Sequence, residues 1–389
     1  MKKLSAFLLV FVMVFSFASC GEEKPEPEKE TTSPVQETTT LPREEKPEGI
    51  VPITVSAEEK KLVDRADNSD MLLTEVSYQT LSLSEKDAKT YPGLSQALDS
   101  LSKEQKAYSE KEFAEIKEWA REDYAESDPE YFYSYTSKIE YLVQRADSLV
   151  LSVRSEWDSY TGGAHPNYGT GCYNYDTETG KELSLSDVVT DVSQIPEIIS
   201  EILIARNPME PFGDLKGKLS EYKEEQFNWA IGNQSITFYF SPYEIASFAS
   251  GSFAATIFFD ENPDLFNEKY TETADSYSYE IPAYNDIELD IDEEDTHTDW
   301  IHIIPEEYEG GYYTVLNVSV NGEELKTDNY KFYESRYYLV NKNGVFSLCA
   351  ELYLSDNSIT TVVFDISGDK AEVSVVLDNT KFADADLIQ

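Results

Sequence analysis

Apolar and polar residues alternate along most of the chain beyond residue 133, which is the pattern of β-strands that bury one face. Residues 133–160 hold two such runs around a turn at 146–148, and residues 172–185 form a second hairpin whose turn contains Gly180. Three more strand regions are expected at residues 71–83, 235–240 and 253–259. Short turns between successive runs predict strands that pair antiparallel.

A period of three to four residues marks two helical regions between these strands. Residues 94–126 carry two apolar stripes, which consist of Leu94, Leu98 and Leu101 and of Phe113, Ile116, Trp119 and Ala120. Ser109 is expected to cap a second helix within this region, with Glu112 completing a capping box. Residues 194–206 form another amphipathic helix. Helices placed among antiparallel strands predict an α+β domain with helices packed on an antiparallel sheet, which we assign to residues 56–270.

The last third of the chain, residues 271–389, is expected to be all β. The dipeptides Asn321-Gly322 and Asn343-Gly344 each separate two alternating apolar runs, and Asn-Gly in this context is the strongest short hairpin signal. Strand runs recur at spacings of about ten residues. This spacing predicts a smaller β-sandwich or barrel of no recognised family.

The N-terminus has the features of a secreted lipoprotein. Two lysines precede an apolar run, residues 4–17, that is too short to span a bilayer. The run ends in Ala-Ser-Cys and resembles a bacterial lipobox, so residues 1–19 are expected to be cleaved as a signal peptide and Cys20 to be lipidated. Two acyl chains hold a protein firmly on a membrane. An ordinary signal peptide with a coincidental Cys20 is the alternative.

Residues 20–55 are expected to form a disordered acidic tether. Residues 21–49 contain five prolines and nine glutamates, with only Val35 and Leu41 as aliphatic residues. Such a segment buries too little apolar surface to offset the entropy of ordering it. Together with the lipid anchor, it predicts a protein held on the extracellular face of the bacterial cytoplasmic membrane.

The chain is strongly acidic, with a formal net charge of −44 that becomes −46 once Lys2 and Lys3 leave with the signal peptide. Phosphate binding requires clustered Lys and Arg, so nucleic acid is not an expected partner. A field of this sign favours encounter with a basic protein. Acidity that only keeps a surface protein soluble is the alternative.

Residues 159–176 hold the most prominent candidate site. His165 and Cys172 lie seven residues apart, which suggests either a thiol nucleophile with its base or two metal ligands. The glycines of this stretch instead favour turns and close backbone approach, so we interpret it as a shaped loop in which a buried His165 bonds to carbonyl groups. No catalytic residue is assigned. The candidate ligand-contact or structural residues are Gly162, Gly163, His165, Pro166, Asn167 and Tyr168.

The remaining thiols and acids give weaker hypotheses. Cys172 and Cys349 are expected to be two buried thiols, with one long-range disulfide as the alternative. A calcium site at Glu288, Asp290, Asp292 and Glu294 would lack the glycine of an EF-hand loop. A zinc site at His297, Asp299 and His302 fits no common spacing. We therefore expect exposed polar residues there, and neither a metal nor a cofactor.

Two sequence stretches, in this order, are similar to segments of a known protein family. Residues 160–189, "YTGGAHPNYGTGCYNYDTETGKELSLSDVV", and residues 236–251, "ITFYFSPYEIASFASG", resemble the RsiV/PdaC-like extracellular domain family. Residues 90–101, "TYPGLSQALDSL", are similar to its tyrosine-proline segment. Positions that carry the resemblance are Tyr173, Asp176, Gly180, Tyr239, Tyr243 and Gly251.

The resemblance implies a rigid extracellular binding module. The family's domain occurs in lysozyme-responsive anti-sigma factors and in the non-catalytic part of peptidoglycan deacetylases. The sequence contains no HExxH, GxSxG or P-loop motif. We expect a binding protein of the cell envelope, not an enzyme, that recognises a cationic cell-wall-active protein such as a lysozyme. A peptidoglycan-binding module and an unrecognised hydrolase are the alternatives.

Overall fold

The computed structural model describes the chain over residues 49–67, 69–126, 128–284, 287–291, 299–368 and 370–385. The predicted signal peptide, the predicted lipidation site at Cys20 and most of the predicted tether lie outside the described residues. The described part is mixed α+β, as predicted, with three sheets.

The first sheet has five strands in chain order, which are β1 (Val55–Arg65), β2 (Leu72–Leu83), β3 (Tyr135–Ala146), β4 (Val150–Tyr160) and β5 (Asn167–Asp176). The strands pair antiparallel, as expected, with the exception of β2 and β3, which run parallel. This pair is parallel because helices α1 (Glu85–Thr90) and α2 (Pro92–Glu126) carry the chain back along the sheet before β3 begins.

Helix α2 is one continuous helix of 35 residues, so the predicted break at Ser109 was wrong. Ser109 is buried in mid-helix, where its Oγ accepts a hydrogen bond from Gln105 Nε2. Glu112 accepts one from Ser137 Oγ in β3 and does not cap the helix. Trp119, expected to face inward, is 51% exposed. No helix in the described ranges is both long and apolar enough to cross a membrane.

A second layer packs beside this sheet. Its helices are α3 (Leu185–Val188), α4 (Ile195–Arg206), α5 (Leu215–Ser220) and α6 (Glu268–Thr271). Its strands form a three-stranded antiparallel sheet of β6 (Trp229–Ile231), β7 (Ser235–Phe240) and β8 (Phe253–Phe258). The apolar face of α4 and the inner faces of β7 and β8 meet in one core, in which Ile199, Leu203, Ile236 and Phe238 are fully buried.

The third sheet is all antiparallel and contains β9 (Ser276–Ile281), β10 (Ile287–Leu289), β11 (Asp299–Glu309), β12 (Tyr312–Val320), β13 (Glu323–Thr327), β14 (Phe332–Lys342), β15 (Val345–Leu354), β16 (Ile359–Asp365) and β17 (Glu372–Asp378). Asn321-Gly322 and Asn343-Gly344 form its tight turns with positive φ, as predicted. One core joins Ile303 of β11 and Val318 of β12 to Leu348 of β15 and Phe364 of β16.

Polar contacts connect residues on either side of the predicted boundary at residue 270. Arg145 is fully buried, and its guanidinium donates to the carbonyl oxygens of Tyr270 and Glu272 as well as to Asp147. Arg206 of α4 pairs with Glu288 of β10. These bonds fix the third sheet against the first two.

Candidate functional site

The predicted loop, residues 161–166, connects β4 to β5. The whole segment from Gly162 to Tyr168 is exposed to solvent. Gly162 has a φ of +75°, and a Cβ atom on it would lie 2.4 Å from Tyr135 Oη. Gly163 has no left-handed φ, and a Cβ atom there would meet only the His165 carbonyl oxygen, at 3.9 Å. The requirement for glycine therefore falls on Gly162.

Beside this loop lies an exposed group of rings, the aromatic cluster, made of His165, Tyr168, Tyr243 and Phe248. The His165 imidazole stacks on Phe248 with ring centroids 3.9 Å apart and planes 22° apart. Tyr168 meets the same ring edge-on, with centroids 5.5 Å apart, and Tyr243 lies 5.4 Å from it. Tyr243 is 62% exposed. Phe248 is thus the centre of a solvent-facing aromatic surface.

Half of the aromatic cluster comes from residues 241–251, which connect β7 to β8. Ser241 Oγ accepts a hydrogen bond from the Thr170 backbone N–H at 3.2 Å, which ties this segment to β5. Tyr243 has a φ of +71°, an uncommon conformation for an aromatic residue. Gly251 ends the segment with a φ of +78°. Both of the longer sequence stretches that carry the family resemblance therefore meet at this surface.

His165 and Cys172, the two residues that suggested catalysis, have different surroundings. His165 is exposed, so the expected buried imidazole was wrong, although its Nδ1 donates to a carbonyl oxygen, that of Pro166, at 2.8 Å. Burial raises the pKa of the Cys172 thiol, and the nearby Arg154 offsets only part of this effect. A thiol held in its protonated form is a poor nucleophile and a poor metal ligand. In the described part of the chain, no group of three His, Cys, Asp or Glu residues is placed to hold a metal ion.

Arg154, which the sequence did not single out, explains the position of Tyr239. It is a buried residue of β4, opposite Cys172 of β5, and its guanidinium carbon lies 5.1 Å from the centroid of the Tyr239 ring. Its Nη2 is 2.8 Å from Glu156 Oε1. A cation over an aromatic face is attractive, and more so when both groups are removed from water. Tyr239 therefore helps to join the three-stranded sheet to the first sheet.

Tyr173 and Asp176 lie in β5, and Gly180 lies in the hairpin turn that follows this strand. Tyr173 packs edge-on against Tyr141, with centroids 6.2 Å apart. Burial alone would raise the pKa of Asp176, but hydrogen bonds from Lys269 and Thr179 outweigh it and hold this pKa below its usual value. Gly180 has a φ of +68°. These three residues shape the domain, whereas Tyr243 and Gly251 lie at the aromatic cluster.

Trp157 is a second exposed aromatic residue near the loop. It lies opposite Gly169 in the pairing of β4 with β5, and a Cβ atom on Gly169 would come within 2.8 Å of the indole ring. The missing side chain lets the indole lie across the neighbouring strand, where it remains 39% exposed. The alternating sequence pattern predicted that Trp157 lies on a strand. It did not indicate that Gly169, on the neighbouring strand, makes room for the indole ring.

The acidic stretch around β10 is only partly described. Glu288 pairs with Arg206, and Asp290 receives a hydrogen bond at its carbonyl oxygen from Gln234 Nε2. Asp299 Oδ1 accepts a hydrogen bond from Asn321 Nδ2 at 2.7 Å. His302, the third residue of the zinc hypothesis, lies in β11. Asp292, Glu294 and His297 lie outside the described residues. Cys172 and Cys349 are both free thiols; Cys349 is buried as expected, whereas the residue Cys172 is only partly buried.

Comparisons with known proteins match part of this region. Residues 187–260, which include the 241–251 half of the aromatic cluster, match a family model described as "Protein of unknown function (DUF3298)". No curated protein sequence matches the chain.

Several solved structures are similar to the chain. A DUF3298 family member from Bacteroides fragilis is 19% identical, with a TM-score of 0.42 over 56% of this chain and 94% of that one. A DUF3298 family protein from Pseudomonas aeruginosa is 16% identical, with a TM-score of 0.38 over 57% of this chain and 97% of that one. Residues 187–260 are therefore similar, through the family model alone, to the DUF3298 domain, whose function is unknown.

Proposed function

We propose that this protein is a lipid-anchored binding protein of the bacterial cell envelope, and that its aromatic cluster recognises a cationic cell-wall-active protein such as a lysozyme. The observation that carries the proposal is the exposed stacking of His165, Tyr168 and Tyr243 around Phe248. Aromatic residues are enriched where proteins bind other proteins, because they bury much area at a small cost in side-chain entropy. The resemblance to the RsiV/PdaC-like family supports the same ligand class.

Charge near the aromatic cluster supports a basic partner. Asp158 lies opposite Tyr168 in the strand pairing, and burial raises the pKa of this carboxyl group, although Lys138 opposes the effect. Glu210 accepts a hydrogen bond from Ser250 at the end of the 241–251 segment. Arg and Lys side chains of a partner would find both carboxylates and aromatic faces here.

The predicted anchor completes the proposal. Signal peptide cleavage before Cys20 and lipidation there would place the acidic tether between the membrane and the binding domain. Lipidation of Cys20 is tested by mass spectrometry of the mature N-terminus. An unmodified Cys20 on a secreted chain would contradict the anchor and leave the ligand proposal to be judged separately.

The ligand proposal is tested by titrating a c-type lysozyme into the full-length chain at low and at physiological salt. We expect binding that weakens with salt, and a loss of about tenfold in affinity for Tyr243→Ala and Phe248→Ala. Tyr133→Ala is the matched control, because Tyr133 is 73% exposed but lies outside the aromatic cluster. Absence of binding at low salt, or equal losses in the control, would contradict the proposal.

Trp157 favours peptidoglycan as a second candidate ligand. An indole face held across Gly169 is a flat surface on which a sugar ring can stack. Binding of this kind should survive salt that screens charge pairs. Retention on purified peptidoglycan at high salt, lost in Trp157→Ala and kept in Phe248→Ala, would favour the glycan over the protein ligand.

A further inference from the structure

Strand β17 forms a free edge of the third sheet. Among the described residues it pairs only with β16, so one row of its backbone N–H and C=O groups points away from the sheet. An edge of this kind is a template on which another strand can form hydrogen bonds. Soluble proteins usually protect such edges.

One protective feature is a bulge at Ser374, where the pairing of β17 with β16 shifts register. The side chains of β17 offer little protection. Val373, Val375 and Val376 are 45%, 43% and 43% exposed, and β17 has no charged residue between Glu372 and Asp378. The edge strand of the first sheet differs in this respect. β1 carries the consecutive charges of residues 58–61 along its length, which is the usual way of discouraging strand addition.

On the face of the sheet that carries Val375, the apolar residues next to this edge are buried: Val340, Cys349 and Val363 form a small cluster against which Phe382 packs. Val375 lies opposite Val363, and Val363 lies opposite Cys349. A groove of about 450 Å³ beside this cluster is lined by Val340, Val345, Cys349 and Val363, together with the polar residues Lys342, Asn343 and Ser347. Val375 is thus the exposed end of an apolar row, and a strand added to β17 would cover it.

Charge at the two ends of β17 selects among partners. Glu372 and Asp378 bracket the three valines, and Asp365 lies opposite Glu372. Lys370 pairs with Glu372 at 3.3 Å, but both side chains are well exposed, and such a pair exchanges easily. An antiparallel second copy centred on Val375 would place Glu372 opposite Asp378 twice, and like charges directly opposite each other are destabilising.

We propose that β17 is a docking edge that takes up an extended segment of a partner protein by strand addition, and that this segment has an apolar centre with Lys or Arg at both ends. Backbone hydrogen bonds supply the pairing, and the two acidic ends set its register and specificity. This interaction is independent of the aromatic cluster.

The probe is a labelled peptide, Lys-Val-Thr-Val-Thr-Val-Lys, which spaces its two lysines as Glu372 and Asp378 are spaced. Its control replaces both lysines with glutamate. Fluorescence anisotropy with the full-length chain at low salt should show the lysine peptide binding at least about tenfold more tightly than the glutamate peptide. Equal binding, or none, would overturn the proposal.

Charge-reversal variants distinguish the effect of the acidic ends of β17 from the effect of the overall negative charge of the chain. Glu372→Lys with Asp378→Lys should invert the preference toward the glutamate peptide, without altering any buried side chain. Glu58→Lys with Glu59→Lys on β1 changes the net charge equally and should leave the preference as in the wild type. An equal shift in both double variants would overturn the proposal, as would self-association of the wild type that Val375→Lys abolishes.

Discussion

Gly93 and Gly180 meet backbone against backbone, although 87 positions separate them. A Cβ atom on Gly180 would lie 2.2 Å from the carbonyl carbon and oxygen of Gly93, and one on Gly93 would lie 2.4 Å from the carbonyl oxygen of Thr179. The first turn of α2 is thus seated directly on the hairpin turn after β5. Two of the stretches that carry the family resemblance are joined at this contact.

We therefore expect Gly180→Ala to be strongly destabilising, by about 3 kcal/mol or more, because it adds a steric clash to the cost of a left-handed φ. Gly213→Ala is a matched control, since Gly213 has the same φ of +68° but nothing within 4 Å of its missing Cβ. That change should cost only about 1 kcal/mol. Urea unfolding of both variants measures the difference, and equal losses would show that the contact with Gly93 is unimportant.

The local sequence pattern predicted most strands but not how far each element extends. Asn321-Gly322 and Asn343-Gly344 form the expected hairpins, because type I′ geometry is a property of the dipeptide itself. Strand β1 was missed, because its charges resemble those of the tether before it and only pairing with β2 makes it a strand. The two stripes of α2 were interpreted as two helices, since the burial of Ser109 depends on tertiary packing.

The sequence predicted only part of the candidate site. The loop with His165 was expected as a shaped contact surface, and the structure places it beside Phe248. Phe248 itself lies 83 positions further along the chain, and no local pattern indicates which distant ring will meet His165. Arg154 was missed for a similar reason, because an arginine within an alternating strand is ordinarily a solvent-facing residue.

The adjacent glycines 162 and 163 should respond differently to substitution. Gly162→Ala should destabilise by about 1–3 kcal/mol, because the new side chain would require a left-handed φ and would crowd Tyr135 Oη. Gly163→Ala should be within about 0.5 kcal/mol of the wild type, since its site is open. Thermal melts of the two variants test this order. The reverse order would show that the loop adopts another conformation in solution.

Both described thiols should resist alkylation in the folded protein. Burial raises the pKa of Cys349 to about 12 and also raises that of Cys172. Because the thiolate is the reactive form, iodoacetamide at pH 8 should label neither residue until denaturant is added. Peptide mapping identifies the labelled sites. Rapid labelling of Cys172 in the native chain would revive the hypothesis that it is a nucleophile.

Conversely, Cys172→Ala should be mild. The thiol behaves as a small buried hydrophobic group, so its loss should cost about 1 kcal/mol. Ligand binding, measured by the same titration as for the aromatic cluster, should stay at the wild-type level. A variant that folds normally but has lost an activity of the wild type would contradict the structural role given to this cysteine.

Glu280 of β9 should make the stability of the protein depend on pH. Its pKa is raised to about 7, mainly by burial; Arg336 opposes this shift, and Glu140 and Glu351 add to it. The folded state therefore holds this proton more tightly than the unfolded chain, whose glutamate pKa is near 4.5. The free energy of unfolding should accordingly fall as pH rises from about 4.5 to about 7, because ionisation in this window favours the unfolded state.

Glu280→Gln tests this directly, because glutamine keeps the shape of the side chain without its charge. We expect the variant to be more stable than the wild type at pH 8, by about 1–3 kcal/mol, and to lose its advantage near pH 5, where Glu280 is protonated. Glu309→Gln, at an exposed position, should leave the pH profile unchanged. Urea unfolding across this pH range measures all three proteins. If the pH profile of Glu280→Gln were parallel to that of the wild type, Glu280 would ionise at its ordinary pKa. Water would then reach the Glu280 carboxyl group more freely than the packing around β9 indicates.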